Sequence, residues 1–169
     1  MRRLLLDTNL LLELISLEVR ESYPGVERHF EIQLHYLLDK ADRSAFIDSV
    51  CRQFGKLEYS SASVVELDRF GAKGLRGHRR VGRLEDLKMF WDGFHSLPTR
   101  FRREFVPRGF ASAEVERGET TKLGPADAHL LHLIRSDADL TVATTDGQLQ
   151  GAVRSIDERR LFDLRTISS

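Results

Sequence analysis

Residues Arg3–Asp7 hold three consecutive leucines, Leu4, Leu5 and Leu6, closed by a carboxylate. Successive side chains of a strand point to opposite faces, so a strand can be apolar at every position only when both faces are covered. The chain must therefore build layers above and below at least one central strand. A helix follows at once: Leu10, Leu11, Leu14, Ile15 and Val19 recur at helical spacing, and Tyr23-Pro24-Gly25 ends the run. The alternation repeats downstream. Leu57–Ser60 reads as a short strand entering a helix over Ser63–Phe70, and Leu140–Thr145 reads as a strand before a short helix over Gly147–Arg154. Leu161–Ile167 reads as a last strand. Strands alternating with helices, with few hairpin signals, predict an α/β fold: a parallel twisted sheet of about four to five strands with helices on both faces.

The remaining segments fill in this plan. A helical insertion is expected around residues 20–56, with helices over Val26–Leu38 and Asp42–Phe54. A basic loop plus an aromatic helix is expected around 71–123. Gly71–Arg83 carries four glycines without periodicity and reads as a loop. Leu84–Phe94 is amphipathic, Pro98–Phe110 reads as a further helix or an irregular arm, and Glu114–Gly124 is polar. Pro125, with φ already set and no N–H to leave orphaned, opens a helix running to Arg135. At 169 residues and 41% hydrophobic, the chain suits one globular domain spanning 1–169. No apolar run exceeds three residues, so no membrane span is expected. The leucines after Met1-Arg2-Arg3 are too few, and too soon interrupted by Asp7, for a signal peptide; a cytoplasmic protein is the expectation. Cys51 is the sole cysteine, which excludes an internal disulfide and a Cys-rich zinc site.

In open parallel sheets, functional groups gather at the carboxyl ends of the strands. Asp7, Glu66, Asp127 and Asp146 all stand at such ends or in the first turns of adjoining helices. Each has a local explanation. Asp7 could cap the following helix, and Ser63 with Glu66 matches a capping box. Asp127 suits the positive end of a helix dipole, and Asp146-Gly147 is ordinary turn chemistry. Together, four carboxylates at one end of a sheet repel and raise one another's pKa, and a bound cation relieves that repulsion. Oxygen ligands without Cys, and without a clear His, point to Mg²⁺ or Mn²⁺ rather than zinc.

Four segments occur in order: Leu4-Leu5-Leu6-Asp7-Thr8-Asn9, Ser63-Val64-Val65-Glu66-Leu67, Gly124-Pro125-Ala126-Asp127-Ala128 and Ala143-Thr144-Thr145-Asp146. In these the chain resembles the PIN-domain family, metal-dependent ribonucleases that include toxins of toxin–antitoxin pairs. The resemblance implies that Asp7, Glu66, Asp127 and Asp146 are catalytic and hold the metal. It also implies that Asn9 and Thr144 orient carboxylates or a water. The activity it implies is in-line hydrolysis of RNA phosphodiesters, leaving a 5′-phosphate and needing no 2′-OH, so DNA is not chemically excluded. An antitoxin protein and a second copy of the chain are the protein partners it implies. The alternative is a catalytically idle PIN-like module that binds RNA or a partner protein; retention of all four acids favours the enzyme.

Net charge is zero, yet residues 71–108 carry ten Lys/Arg against four acids. Lys73, Arg76, Arg79, Arg80 and Arg83 are the candidate nucleic-acid contacts, with Arg100, Arg102 and Arg103 as a second group. His129 and His132 read as surface histidines, Asp137 and Asp139 as a turn, and Cys51 as a small buried apolar residue. The haloacid-dehalogenase opening needs an Asp where Asn9 stands, which argues against that phosphatase class.

Overall fold

The structure, a computed structural model, describes residues 2–24, 40–76, 83–109, 123–162 and 164. The elements in chain order are β1 (Arg3–Leu6), α1 (Thr8–Ser22), α2 (Lys40–Gln53), β2 (Lys56–Ser60) and α3 (Ser61–Arg76). They continue with α4 (Arg83–Phe101), β3 (Glu104–Arg108), α5 (Pro125–Ser136), β4 (Leu140–Ala143) and α6 (Gly147–Asp157), followed by a 3₁₀ turn over Glu158–Arg160. Among the described residues the four strands form one sheet in the order β3-β2-β1-β4, and every pairing is parallel. The expected α/β fold is the one observed.

Register explains the leucine triplet. Leu4 and Leu6 join one core cluster with Leu10, Leu14 and Ile15 of α1, Phe46 of α2, and Phe90 and Phe101 of α4. Leu5 faces the opposite way, into a second cluster with Leu130, Leu131 and Ile134 of α5 and Leu149 and Val153 of α6. Alternation thus sends each leucine of β1 into one of two separate cores, which is why the strand must be apolar throughout. Helix α1 lies so close to α4 that a Cβ on Gly93 would stand 2.9 Å from Val19 Cγ2 and 3.1 Å from the Ile15 carbonyl oxygen. No helix among the described residues is long and apolar enough to cross a membrane.

Several sequence expectations need correction. The glycine-rich stretch is not a loop from Gly71: α3 runs on to Arg76 and α4 already begins at Arg83. The segment after Pro98 is neither a helix nor an arm, because α4 ends at Phe101 and the chain returns as β3, the edge strand. Pro98 lies in the last turn of α4, and Arg102 then takes a left-handed conformation, φ 50°, that stops the helix. The last strand is reduced here to one parallel bridge, Val142 to Leu161, backed by a Phe162 N–H bond to the Val142 carbonyl. The helix expected over 26–38, the polar stretch over 114–122 and the end of the last strand, 165–167, lie outside the described residues.

Candidate active site

The strand order reverses beside β1, since the chain runs β1, β2, β3 outward and then returns to place β4 on the other side. Ligands of open α/β sheets bind outside the carboxyl ends of the strands at such a switch point. Asp7 stands there. Its N–H extends the ladder by donating to the Ala143 carbonyl (3.1 Å), and its carbonyl accepts the Leu11 N–H (2.9 Å), the first bond of α1. Although Asp7 is the N-cap residue by position, its side chain does not cap the helix. The carboxylate is instead 1% exposed and accepts the Thr144 hydroxyl at Oδ2 over 2.7 Å. Burial pushes its pKa up to about 7; Asp127 and Asp146 add to this by like charge, while Thr144 and the Thr8 N–H oppose it.

Glu66 does not form the expected capping box. Helix α3 starts at Ser61, so Ser63 is already inside it, and the buried Ser63 Oγ has no hydrogen-bond partner. Glu66 Oε2 accepts the Thr8 hydroxyl instead, at 2.9 Å. Its Oε1 lies 3.5 Å from where a Cβ on Gly124 would stand, which brings it to the entrance of α5.

Asp127 sits in the first turn of α5, which Gly124 and Pro125 open. Burial raises its pKa to about 6, and the charges of Asp146 and Glu66 contribute. Asp146 takes the local turn role the sequence suggests. It caps α6 through Oδ1 alone, which accepts the Gln148 and Leu149 N–H groups at 2.7 and 2.8 Å, and this leaves Oδ2 outside the cap. Thr144 joins the acids: its hydroxyl donates to Asp7 and accepts the Asp146 N–H at 3.0 Å. Gln150, absent from the sequence reading, steadies this loop by donating to the Thr144 carbonyl (2.9 Å).

The four acids therefore come together, but not all their expected helpers do. Asn9 is exposed on the first turn of α1, and no hydrogen bond among the described residues ties it to the acids. Lys73 and Arg76 belong to α3 and Arg83 to α4; their side chains, and Arg79 and Arg80 entirely, lie outside the described residues. Arg100 is engaged within the fold, donating to Glu18 Oε1 (2.7 Å) and Glu21 Oε2 (2.6 Å). Arg103 donates to the carbonyls of Phe54, Cys51 and Arg102, and among the described residues Arg102 is the one of this trio with no such side-chain bond. His129 is a core residue, 0% exposed, not a surface histidine, and its Nδ1 shares a 2.7 Å hydrogen bond with Ser60 Oγ. Asp137 is more than a turn residue, since it pairs with Arg3 and lies 3.8 Å from Arg108. Cys51 is half-buried and donates its thiol to the Phe101 carbonyl.

The donor set is carboxylate oxygen only, which suits a hard cation. Among the described residues no three Asp, Glu, His or Cys side chains form a ready-made metal cage. No protein-family model matches the chain, and no curated protein matches it.

Proposed function

We propose that the chain is a Mg²⁺- or Mn²⁺-dependent ribonuclease that hydrolyses RNA phosphodiester bonds, with Asp7, Glu66, Asp127 and Asp146 holding the metal. One observation carries this reading. Four carboxylates from four separate elements meet at the switch point, and among the described residues none has an ion pair with Lys or Arg. The other buried acids whose partners are seen differ: Glu18 pairs with Arg100, and Glu58 with Arg3 and Arg108. A cluster left without basic partners is what a bound cation would balance.

When bound, the ion supplies a water of lowered pKa and polarises a phosphate oxygen. The chain's own residues hold the acids ready. Thr144 orients Asp7, Thr8 orients Glu66, and the α6 cap holds one oxygen of Asp146. The choice of RNA rests on the resemblance to PIN-domain motifs. The same resemblance makes an antitoxin protein and a second copy of the chain the protein partners; the short apolar runs of the sequence make the cytoplasm the proposed location.

The test is cleavage of end-labelled single-stranded RNA with and without Mn²⁺, run beside Asp146→Asn. Metal-dependent cutting that is lost in the variant supports the ribonuclease. Absence of both cutting and calorimetric Mn²⁺ binding supports the idle binding module instead, and metal binding without cutting directs the search to DNA.

A further inference from the structure

Asp7, Ser60 and Thr144 each stand one position beyond a paired row of the sheet, the row Tyr59, Leu6 and Ala143. Ser60 is thus the register neighbour of Asp7 on β2, as Thr144 is on β4. The Ser60 side chain is 0% exposed, and its Oγ accepts the Ala62 N–H at 3.0 Å, which caps the start of α3. The same oxygen shares the 2.7 Å bond with His129 Nδ1, two residues along α5 from Asp127. One buried hydroxyl therefore joins the end of β2, the helix that carries Glu66 and the helix that carries Asp127.

We propose that the Ser60–His129 hydrogen bond is a positioning pair that sets where Asp127 and Glu66 stand relative to Asp7. The inference rests on the metal-dependent reading above. Its physical basis is that burial and the charges of Asp146 and Glu66 act on Asp127 while no hydrogen bond among the described residues does, so local hydrogen bonding does not fix the acid's place. Position must come from what anchors α5 as a body. Packing of Leu130, Leu131 and Ile134 holds the helix to the sheet but is nondirectional. The buried hydrogen bond is directional, and it reaches the sheet in the very row that holds Asp7. Loss of a group that hydrogen-bonds a metal ligand typically weakens affinity about 10- to 100-fold, and Ser60 and His129, which act through the helices that carry the acids, belong at the low end of that range.

The experiment measures Mn²⁺ affinity by calorimetry and thermal midpoint by circular dichroism for the full chain and four variants. Ser60→Ala and His129→Leu each remove the bond and should weaken Mn²⁺ binding at least about 10-fold. His129→Asn offers a side-chain amide near the Nδ1 position and should keep affinity within about threefold of wild type. Gly93→Ala, destabilised between α1 and α4, controls for stability and should leave affinity unchanged. The proposal is overturned if the bond-breaking variants melt earlier yet bind Mn²⁺ as wild type does, or if His129→Asn is as weak as His129→Leu. Absence of Mn²⁺ binding by wild type overturns the metal reading itself, and the positioning role with it.

Discussion

The Thr144 hydroxyl donates to Asp7 Oδ2 over 2.7 Å, although the two residues are 137 positions apart in the chain. This bond favours the charged carboxylate, whereas burial and the neighbouring acids favour the neutral one, and the balance leaves the Asp7 pKa at about 7. Asp7 is therefore a carboxylate held in a site that does not suit its charge. Catalytic and binding sites commonly show this conflict between stability and function.

Replacing Asp7 by Asn should separate the two roles. The amide oxygen can still accept the Thr144 hydroxyl, and a buried charge disappears. Cleavage in Mn²⁺ is expected to fall to background, while the melting temperature in EDTA at pH 8 stays level or rises. An early-melting variant would mean that Asp7 is a structural acid.

The pH dependence of the metal-free protein follows from the same two acids. Asp7 is raised from its ordinary 3.8 to about 7, and Asp127 to about 6, so the folded state binds protons that the unfolded chain releases. Their stabilising contribution is fully present below pH 3.8, declines as pH rises through these values and is lost above about 7. At about 1.4 kcal/mol per pKa unit, the buried Asp7 alone accounts for several kcal/mol. Asp137 has the opposite sign, its desolvation outweighed by the bond from Arg3, but its window lies below pH 3.8. In EDTA the melting temperature should therefore fall from pH 5 to pH 8, and Asp7→Asn should flatten the slope. Saturating Mn²⁺ should reverse it, since metal and proton compete for the same oxygens. A melting temperature that climbs over this range in EDTA would contradict the assignment.

Gly93→Ala should destabilise the fold by about 1–3 kcal/mol, a drop of several degrees in melting temperature. The added methyl meets Val19 Cγ2 and the Ile15 carbonyl oxygen, and a backbone oxygen cannot turn aside as a flexible side chain can. Unchanged stability by calorimetry would mean that α1 and α4 separate more easily than their packing suggests.

Arg102→Gly should stabilise the protein by about 1 kcal/mol, because Arg102 holds φ at 50°, a conformation that costs a residue with a Cβ and costs glycine nothing. Arg102→Ala, which keeps the Cβ, should show no such gain. Urea midpoints of the two variants distinguish the backbone effect from loss of the exposed charge.

The fold class and the placement of three of the acids, Asp7, Asp127 and Asp146, were legible because they rest on local pattern. Three leucines in a row demand two covered faces, and Asp7, Asp127 and Asp146 follow strands or open helices where Gly, Pro or a short polar residue marks the boundary. The start of α3 was misread for an equally local reason. Ser63 and Glu66 satisfy a capping box, yet Ser60, the last residue of β2, caps the helix. Strand β3 was missed because Phe101 and Phe105 have helical spacing while Arg102 breaks the helix between them.

The partners of the acids and of the buried polar groups could not be read this way. Thr8 meets Glu66 across 58 residues, Ser60 meets His129 across 69, and Arg3 meets Asp137 across 134. Periodicity and capping rules compare residues a few positions apart, so they recognise elements and their ends. Which side chains then meet depends on strand order and register, here β3-β2-β1-β4 with Ser60, Asp7 and Thr144 following one row. Those are set by how two hydrophobic cores close on opposite faces of the sheet, a condition on the whole chain at once.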